Sequence, residues 1–534
     1  MEITNTNFCE ELENISKNLK QSCFVGFDAE FTAILSSETF KHRLFDTSED
    51  RYNLMKNEVS KMIMTQVGLT MFLYDRDLDT YKAVGYTFHL CPQVFGDIDQ
   101  SFIFQASTLR FLCKHNFDFN KFTYNGLPYL SKAEEAKVRQ QLKDEQLFNN
   151  LTRSLEMDDE KKLQCYCSEV SKWLASSDEG TMYLDVQDPV LRYIVHNELR
   201  LRFDGILTTD SLGNSNKVLI YRDKYVEGAT SAPMQILEGN LMSHLLGFSQ
   251  IIDLLITHRK PLIGHNIYLD TILLHNQFIG PLPNKYSMFK KNINDAFPLI
   301  FDTKHISYHM GKWLTFDEVW RTNGLQDLYE FFAEGKCKKL EQGVNLIRLK
   351  TPFNVEQSFH EAGWDSYCSG YCFIRLGHWA ACELRGHYRP VGPTEILSAL
   401  GPHANKVNVI RGAVPYMNLV GSDPPKHRPM LLHIKSIKDR VINVSKVASS
   451  LAAYGSVDVK LCDARAALVA TNSQYTLDRI LRQFKNNTDY KVTRYNPIRH
   501  SKAGRMALWS GAILTTGIFV YLLHKNVNKL YEYK

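Results

Sequence analysis

The segment 23–31 constrains the fold most strongly, because it combines a buried-strand pattern with two acidic residues. Side chains alternate along a strand, so Asp28 and Glu30 lie on one face while Ala29 and Phe31 lie on the other. Two neighbouring carboxylates at the end of a core strand repel each other unless water solvates them or a hard dication lies between them. This pattern alone leaves both interpretations open, a solvated strand end and a metal site.

The pattern of apolar residues predicts an α/β fold that opens with three strands. Segments 66–74 and 81–91 are predicted to be antiparallel neighbours of the first strand. A charged, helix-favouring interval then interrupts the alternation, which resumes near residue 236. The glycine and prolines between 385 and 393 mark the next boundary.

Six segments follow from this pattern: a first part of the catalytic domain (1–140), an inserted module (141–235), the second part of that domain (236–390), a small domain (391–488), a basic linker (489–505) and a terminal helix (506–523). The small domain has a β-α-β-β-α order that suits an RNA-recognition-type fold. Its central strands supply almost no aromatic residues, so we expect a degenerate copy.

The distribution of charge excludes binding of nucleic acid through bulk basicity. The 534 residues carry 63 Lys and Arg against 58 Asp and Glu, a net charge of +5. Residues 484–534 hold nine basic and two acidic side chains, so the preceding 483 residues are close to −2. Hydrophobic residues at 44% and charged residues at 23% are typical of a globular chain. The eleven cysteines lack paired Cys-x-x-Cys spacing, which favours reduced thiols in a cytosol-facing protein.

The uncharged run 506–523 is long enough to cross a membrane. At about 1.5 Å of rise per residue, eighteen helical residues reach about 27 Å, the thickness of a thin bilayer. The alternative is a buried helix, but the run is apolar all round and Arg505 and Lys525 flank it. The first thirty residues lack a signal sequence. We therefore expect a tail anchor in the mitochondrial outer membrane, with the endoplasmic reticulum as the alternative, and a catalytic body that faces the cytosol.

Two downstream motifs supply further acids. The sequence Leu-Ile-Gly-His265-Asn266-x-x-Leu-Asp270 predicts a strand, a turn and a helix start that brings Asp270 beside a strand end. The sequence His360-Glu-Ala-Gly-x-Asp365 begins a long apolar helix. Each motif is weakly specific by itself, since either aspartate serves equally well as a helix cap.

Together, these acids and the histidine resemble the DEDD 3′–5′ exonucleases of the histidine subtype. The segments Phe-Asp-Ala-Glu-Phe-Thr, Gly-His-Asn-x-x-x-Asp, Phe-Asp-Thr-Lys and His-Glu-Ala-Gly-x-Asp resemble the poly(A)-specific ribonuclease branch of the deadenylase group. The similarity spans roughly residues 20–385. The resemblance implies a ribonuclease H-like domain with a mixed sheet, interrupted by a small α/β insertion that resembles a single-strand-binding module. Arg192-x-x-x-His196 resembles the signature of that module, and a purely structural helix is the alternative.

The resemblance also implies a mechanism. Asp28, Glu30, Asp270 and Asp365 would be the ligands of two Mg²⁺ ions, and His360 would accept a proton from the attacking water. Residues near these acids would hold the terminal nucleotides of the RNA: Phe31, His265 and Asn266. For these three, core packing and helix capping are the structural alternatives.

The membrane tail resembles a narrower branch of the family, whose members trim the 3′ ends of PIWI-bound piRNA precursors on mitochondria. This implies single-stranded RNA 3′ ends, a PIWI protein and a Tudor-domain adaptor as partners. Two other functions remain open. One is a general poly(A) deadenylase of mRNA, and the other is an inactive RNA-binding scaffold at a membrane, although a scaffold has no physical reason to cluster carboxylates.

Overall fold

The computed structural model of the protein describes residues 1–33, 43–176, 179–211, 216–222, 232–311, 320, 322–337, 340, 343–350, 358–387, 389–425, 430–438 and 440–531. The chain forms two compact units. The first unit comprises Met1–Phe40, Tyr52–Asn408 and Asn418–Ser422, and the second comprises Lys41–Arg51, Val409–Met417 and Asp423–Lys534.

The strands are, in chain order, β1 (Glu2–Ile3), β2 (Phe24–Phe31), β3 (Met64–Asp75), β4 (Thr80–His89), β5 (Thr181–Asp185), β6 (Leu207–Ser211), β7 (Lys217–Arg222), β8 (Leu262–Gly264), β9 (Ile300–Asp302), β10 (Ile347–Leu349), β11 (Lys406–Asn408), β12 (Tyr416–Asn418), β13 (Met430–Ser436), β14 (Val457–Asp463), β15 (Ala466–Thr471) and β16 (Tyr490–Arg494).

The helices are, in chain order, α1 (Phe8–Gln21), α2 (Ser48–Val59), α3 (Ala106–Lys114), α4 (Phe119–Asn125), α5 (Lys132–Lys143), α6 (Leu147–Arg153), α7 (Met157–Ser176), α8 (Pro189–Arg202), α9 (Ala232–Leu246), α10 (Ser249–His258), α11 (Tyr268–Leu274), α12 (Tyr286–Ala296), α13 (Thr303–Met310), α14 (Leu325–Ala333), α15 (Ala362–Arg385), α16 (Pro393–Ala399), α17 (Val444–Ala452), α18 (Gln474–Gln483), α19 (Pro497–His500) and α20 (Lys502–Tyr531).

A seven-stranded mixed sheet organises the first unit, in the order β1-β4-β3-β2-β8-β9, with β10 paired to β4. The strand β3 runs antiparallel to both β2 and β4, whereas β8 is parallel to β2 and to β9. The predicted mixed sheet is therefore confirmed. The register sets Asp28 opposite Gly68 and Glu30 opposite Gln66, and it shifts between Glu30 and Phe31.

The long helix α15 packs across this sheet and closes the core of the first unit. Its N-terminus is capped by Glu361, whose carboxylate accepts a hydrogen bond from the Trp364 N–H (2.7 Å), and it ends at Gly386 with a left-handed φ of 76°. Phe24 of β2 lies against Phe373 of α15, with ring centroids 5.2 Å apart. Nearly the whole helix is buried, which explains why its sequence is apolar on every side.

Within the predicted insertion, a three-stranded antiparallel sheet has the order β5-β7-β6. The Arg192 and His196 side chains of α8 are buried. The Arg192 guanidinium donates to the Val186 carbonyl (2.9 Å) and to Asn216 Oδ1 (2.8 Å), and His196 Nδ1 lies 2.9 Å from Thr209 Oγ1. Both side chains hold α8 to its own sheet, so their contacts agree with the structural alternative.

The second unit contains a four-stranded sheet in the order β14-β15-β13-β16, with α17 and α18 on one face. The predicted β-α-β-β-α series is present, and the sequence analysis missed its fourth strand, β16. After β16 the chain passes through α19 into α20. One helix among the described residues is long and apolar enough to cross a membrane, and its apolar segment Met506–Leu523 is not buried by any part of the chain.

Candidate active site

The strand β2 delivers the first two acids of the candidate site. Asp28 and Glu30 lie on the same face as Gly26, as the alternation predicts, and both side chains are partly exposed. The register shift after Glu30 ends the regular pairing of β2 with β3. A bulge of this kind redirects the following side chain, and here that residue is the partly exposed Phe31.

The first turn of α15 delivers Asp365 onto the same face of the sheet. The helix approaches the strands this closely because glycine occupies two facing positions. A Cβ atom on Gly26 would lie 2.2 Å from the Ser366 carbonyl oxygen, and one on Gly68 would lie 1.8 Å from the Ala362 carbonyl oxygen. The Ala362 N–H also donates to Gln66 Oε1 (3.0 Å). The start of α15 therefore lies directly over the strand that carries the first two acids.

Asp270 reaches the site from the first turn of α11, and a second aspartate holds the turn before that helix. The Asp302 side chain is completely buried. It accepts hydrogen bonds from the backbone N–H groups of Asn266 (2.9 Å), Lys304 (2.9 Å) and Asn408 (2.8 Å). The sequence analysis gave Asp302 no role, although its position between a strand and a helix is a recognisable capping signal.

Burial raises the pKa of all four predicted acids, and neighbouring carboxylates raise it further. Burial raises the pKa of Asp28 well above its usual range, and the charges of Asp365, Asp270 and Glu30 raise it further. The pKa of Glu30 is raised by burial and then by Asp365 and Asp270. Burial also raises the pKa of Asp270 and of Asp365 to about 7. The four side chains therefore lie close enough to interact electrostatically, although they are far apart along the chain.

A fifth carboxylate, Glu361, lies in the same neighbourhood and was missed by the sequence analysis. Its charge raises the pKa of Asp28, Glu30 and Asp365. Its own carboxylate caps α15. The signal was present in the sequence, because a glutamate just before an apolar helix is a candidate capping residue. Since Glu361 already accepts the Trp364 N–H, we assign it a structural role.

His360 contacts the site through its main chain. Its N–H donates to Asp365 Oδ2 (3.1 Å), and its φ of +73° lies in the left-handed region. The imidazole packs on α3, with ring centroids 4.3 Å from His115 and 5.0 Å from Phe111. Burial lowers the pKa of His360, followed by the charges of His115 and Lys114. The predicted role of His360 as a base stays a prediction.

The turn residues His265 and Asn266 make contacts within the protein. His265 Nδ1 lies 2.9 Å from Thr303 Oγ1, and burial, followed by the Lys304 charge, lowers its pKa to about 3. Asn266 has a left-handed φ of 64°, and its Oδ1 accepts a hydrogen bond from Asn408 Nδ2 (3.1 Å). These contacts fix the turn that leads into α11, and an RNA-binding role for either residue stays a prediction.

The acids have the chemistry that a hard dication requires. Asp365 Oδ1 is buried and accepts no hydrogen bond from the described residues, and a buried carboxylate oxygen without a partner is costly. Oxygen ligands are those that Mg²⁺ prefers. Among the described residues, no group of three histidine, cysteine, aspartate or glutamate side chains is placed so that it could hold one metal ion. The donor set fits divalent cations, and its role as their ligand set is a proposal.

The fold and the clustered acids define a carboxylate-rich α/β nuclease, and comparison with known proteins gives the family. Residues 3–373 match the CAF1 family of ribonucleases, and the chain belongs to this family. The chain is 62% identical over 530 residues to the pre-piRNA 3′-exonuclease trimmer of Bombyx mori, across 99% of this chain and 100% of the relative. The predicted enzyme class is confirmed: the chain is a 3′–5′ exoribonuclease.

More distant relatives bear other names. The chain is 28% identical to the poly(A)-specific ribonuclease PNLDC1 of Mus musculus, across 98% of this chain and 99% of that one. It is 26% identical to the poly(A)-specific ribonuclease PARN of Xenopus laevis, across 93% and 80%. Among solved structures, the Mg²⁺- and Mn²⁺-bound form of S. pombe Pop2p aligns with 70% of this chain and 90% of its own, at 15% identity and a TM-score of 0.34.

Proposed function

We propose that this enzyme trims the 3′ ends of PIWI-bound piRNA precursors at the outer mitochondrial membrane. The observation that carries the proposal is the convergence of Asp28, Glu30, Asp270 and Asp365 beside the end of β2. The substrate follows from the 62% identity, over essentially both full lengths, to an enzyme named for pre-piRNA 3′ trimming.

The four acids would hold two Mg²⁺ ions. When bound, Mg²⁺ supplies an activated water and charge stabilisation at the scissile phosphodiester. The protein holds Asp365 in place through the His360 N–H and holds α15 on β3 through Gln66. These fixed contacts keep the carboxylates oriented before substrate arrives, which is how a preorganised site lowers a reaction barrier. Hydrolysis at the last linkage would release nucleoside 5′-monophosphates.

Four further side chains would act on the substrate. His360, whose pKa burial lowers from the ordinary histidine value of about 6.5, would accept a proton from the attacking water. Its ring would first have to leave its contact with His115. Phe31 at the end of β2 would stack on a terminal base. The turn of His265 and Asn266 would position the terminal nucleotide from the other side.

The carboxylate assignment is tested by Asp28→Asn, with Asp77→Asn in the exposed β3–β4 turn as the control. Mg²⁺-dependent shortening of a labelled single-stranded RNA should fall by at least about 1,000-fold in Asp28→Asn, because a ligand charge is lost from the reacting centre. RNA binding should persist, and the control should trim normally. Substantial trimming by Asp28→Asn would overturn the assignment.

A general poly(A) deadenylase is the second candidate function, favoured by the names of the mouse and Xenopus relatives. The two functions differ in what the enzyme requires of its substrate. Purified full-length protein would be given RNAs ending in adenines or in mixed bases, each either naked or loaded on a PIWI protein. Trimming that needs PIWI loading and ignores the terminal base supports piRNA processing, whereas strict adenine preference on naked RNA supports deadenylation.

We propose that α20 anchors the protein in the outer mitochondrial membrane and that a Tudor-domain adaptor presents the PIWI protein there. The exposed apolar segment Met506–Leu523 supports the anchor. Deletion of residues 506–534 should release the protein from mitochondria into the soluble fraction. Retention of the truncated protein on mitochondria would contradict the anchor.

The adaptor is tested by depleting the Tudor-domain protein and immunoprecipitating the enzyme. Loss of the PIWI protein from the precipitate would support the adaptor, and an unchanged yield of the PIWI protein would contradict it.

A further inference from the structure

A cavity of about 870 Å³ opens on the second unit, in a region that the proposed reaction does not use. Its walls are β13, β16, the turn between β14 and β15, and α19. Among its lining residues, one is a carboxylate, Asp463, and seven are basic: His433, Lys435, Arg465, Lys491, Arg494, Arg499 and His500. The excess of positive charge makes this cavity suitable for an anion.

The sheet itself places two like charges side by side in this cavity. Lys435 of β13 lies directly opposite Lys491 of β16 in the antiparallel register, and both side chains are exposed. Like charges at facing positions destabilise a sheet. On its other side, Lys435 faces Ala466 of β15, which offers no carboxylate. An anion bound between the two lysines would offset their repulsion.

The same face of the sheet is poorly suited to reading bases. RNA-recognition folds stack bases on aromatic side chains of the two central strands. Here those positions hold small, aliphatic, lysine or histidine residues: Leu431, His433, Lys435, Ala466, Leu468 and Ala470. The His433 ring is already stacked on His500, with centroids 4.2 Å apart and planes within 9°.

The far end of this face is covered by other segments of the second unit. Asp458 of β14 accepts a hydrogen bond from the Leu44 N–H (2.6 Å) and pairs with Arg411 (3.6 Å). Tyr495 also lines the cavity, but its ring packs against His500, with centroids 5.7 Å apart, and His500 is stacked on His433. The cavity thus offers positive charge while its aromatic rings contact one another, a combination that suits a phosphate group better than a base.

The cavity also lies close to the start of the apolar tail. One residue separates α19 from α20, and a Cβ on Gly504 would lie 2.4 Å from the Ile498 carbonyl oxygen, so the first turn of α20 touches the cavity wall. From Lys502, where α20 begins, to Met506 the helix rises only about 6 Å. In the short helix α19, the apolar side chain of Ile498 is 59% exposed. These positions place the cavity at the level of phospholipid headgroups when α20 spans a bilayer.

We propose that this cavity binds the headgroup phosphate of an anionic phospholipid, with Lys435 and Lys491 as its principal contacts. The inference rests on the membrane anchoring proposed above. Basic clusters beside a membrane helix attract anionic headgroups, and each lysine or arginine contributes about a fivefold factor in affinity. A lipid held there would fix the orientation of the second unit relative to the membrane.

The test uses full-length protein in an uncharged detergent and the water-soluble lipid dihexanoyl phosphatidic acid, titrated calorimetrically. The test variant is Lys435→Gln/Lys491→Gln. The matched control, Lys446→Gln/Lys485→Gln, removes the same charge from exposed positions outside the cavity. The test variant should bind the lipid roughly 20-fold more weakly, while the control should bind like the wild type. Dihexanoyl phosphatidylcholine and inorganic phosphate should bind much more weakly than phosphatidic acid.

Three outcomes would overturn the proposal. In the first, the two double variants bind phosphatidic acid with equal affinity. In the second, inorganic phosphate binds as tightly as the lipid. In the third, the test variant loses single-stranded RNA binding but keeps lipid binding. Carbonate extraction of wild-type protein from mitochondria tests the anchor separately. If carbonate releases the protein, the proposed membrane anchor is wrong. The titration in detergent still tests whether the cavity binds the lipid. Folding of the test variant is verified by its melting temperature, which should not fall because a repulsion is removed.

Discussion

Side chains of like charge lie close together at two sheets of this protein. The two groups differ in how deeply their charges are buried. In the first unit, Asp270 and Asp365 are 7% and 8% exposed, and burial raises their pKa. In the second unit, Lys435 and Lys491 face each other in solvent. Water and salt screen exposed charges but not buried ones. The buried cluster therefore depends on counter-ions to stay ionised, whereas the exposed cluster is stable without a ligand.

The largest expected effect comes from adding and removing Mg²⁺. At about 100 times its dissociation constant, a cation bound only by the folded state stabilises it by about 2.7 kcal/mol. We expect Mg²⁺ to raise the melting temperature of wild-type protein and EDTA to reverse the rise. In EDTA, Asp28→Asn should melt higher than wild type, because one of the crowded charges is gone, and Mg²⁺ should stabilise it less. Identical responses of the two proteins would contradict a shared cation site.

The second-largest effect tests the close packing of α15 on β2 and β3, which brings Asp365 beside the other acids. Gly68→Ala would place a methyl group 1.8 Å from the Ala362 carbonyl oxygen, so α15 must move away from the sheet. We expect a loss of about 1–3 kcal/mol in the free energy of unfolding and a large loss of activity, measured by urea unfolding and RNA trimming. The control Gly239→Ala lies inside α9 with open space around it, and should be neutral or stabilising by up to about 1 kcal/mol. Normal activity of Gly68→Ala would show that the contact is dispensable.

A smaller effect concerns Glu2, a carboxylate of the same sheet that carries Asp28 and Glu30. Unlike the four acids of the active site, Glu2 has basic partners. The His89 imidazole, whose Nε2 lies 3.6 Å from Glu2 Oε1, and then Lys121 at 2.7 Å lower the pKa of Glu2 to about 2. This ionised form stabilises the fold above the unfolded pKa of about 4.5, and the stabilisation is lost as the pH falls through about 2.

Glu2→Gln should therefore cost about 1 kcal/mol at pH 7, after allowance for partial exposure of the pair. The difference from wild type should shrink between pH 4.5 and pH 2. Urea unfolding at several pH values measures it, with the exposed Glu10→Gln as the control. A difference that stays constant down to pH 2 would mean that the pair is not responsible.

The smallest effect concerns the exposed cluster. In the absence of lipid, Lys435→Gln/Lys491→Gln should raise the free energy of unfolding by a few tenths of a kcal/mol at low ionic strength, because facing like charges repel. The gain should vanish near 1 M salt, where the screening length is about 3 Å. Thermal melts at low and high salt measure the difference, and Lys446→Gln/Lys485→Gln should show no gain. A lower melting temperature for the test variant would contradict repulsion between the lysines.

Much of the site could be predicted from local patterns. The strand that carries Asp28 and Glu30 places both on one face, and Asp270 and Asp365 lie in the first turns of helices, as their motifs predict. The cap that Glu361 makes to the Trp364 N–H is local and could have been predicted, whereas the role of Asp302 depends on a distant partner. The buried environment of Asp302 is completed by the N–H of Asn408, 106 residues further along the chain. The position of the His360 ring on α3 likewise depends on a contact between segments far apart in sequence.

Local sequence patterns were enough to predict which strands and helices carry the acids, the apolar tail and the family of the chain, because alternation, capping and hydropathy are local properties. Which charges are buried together depends instead on how distant segments pack. Gly26 and Gly68 allow α15 to touch the sheet, and this contact buries Asp365 beside the half-buried Asp28 and Glu30. The register of β13 and β16 sets two lysines side by side in solvent. Burial and register depend on packing between distant segments, and electrostatic energy depends on both.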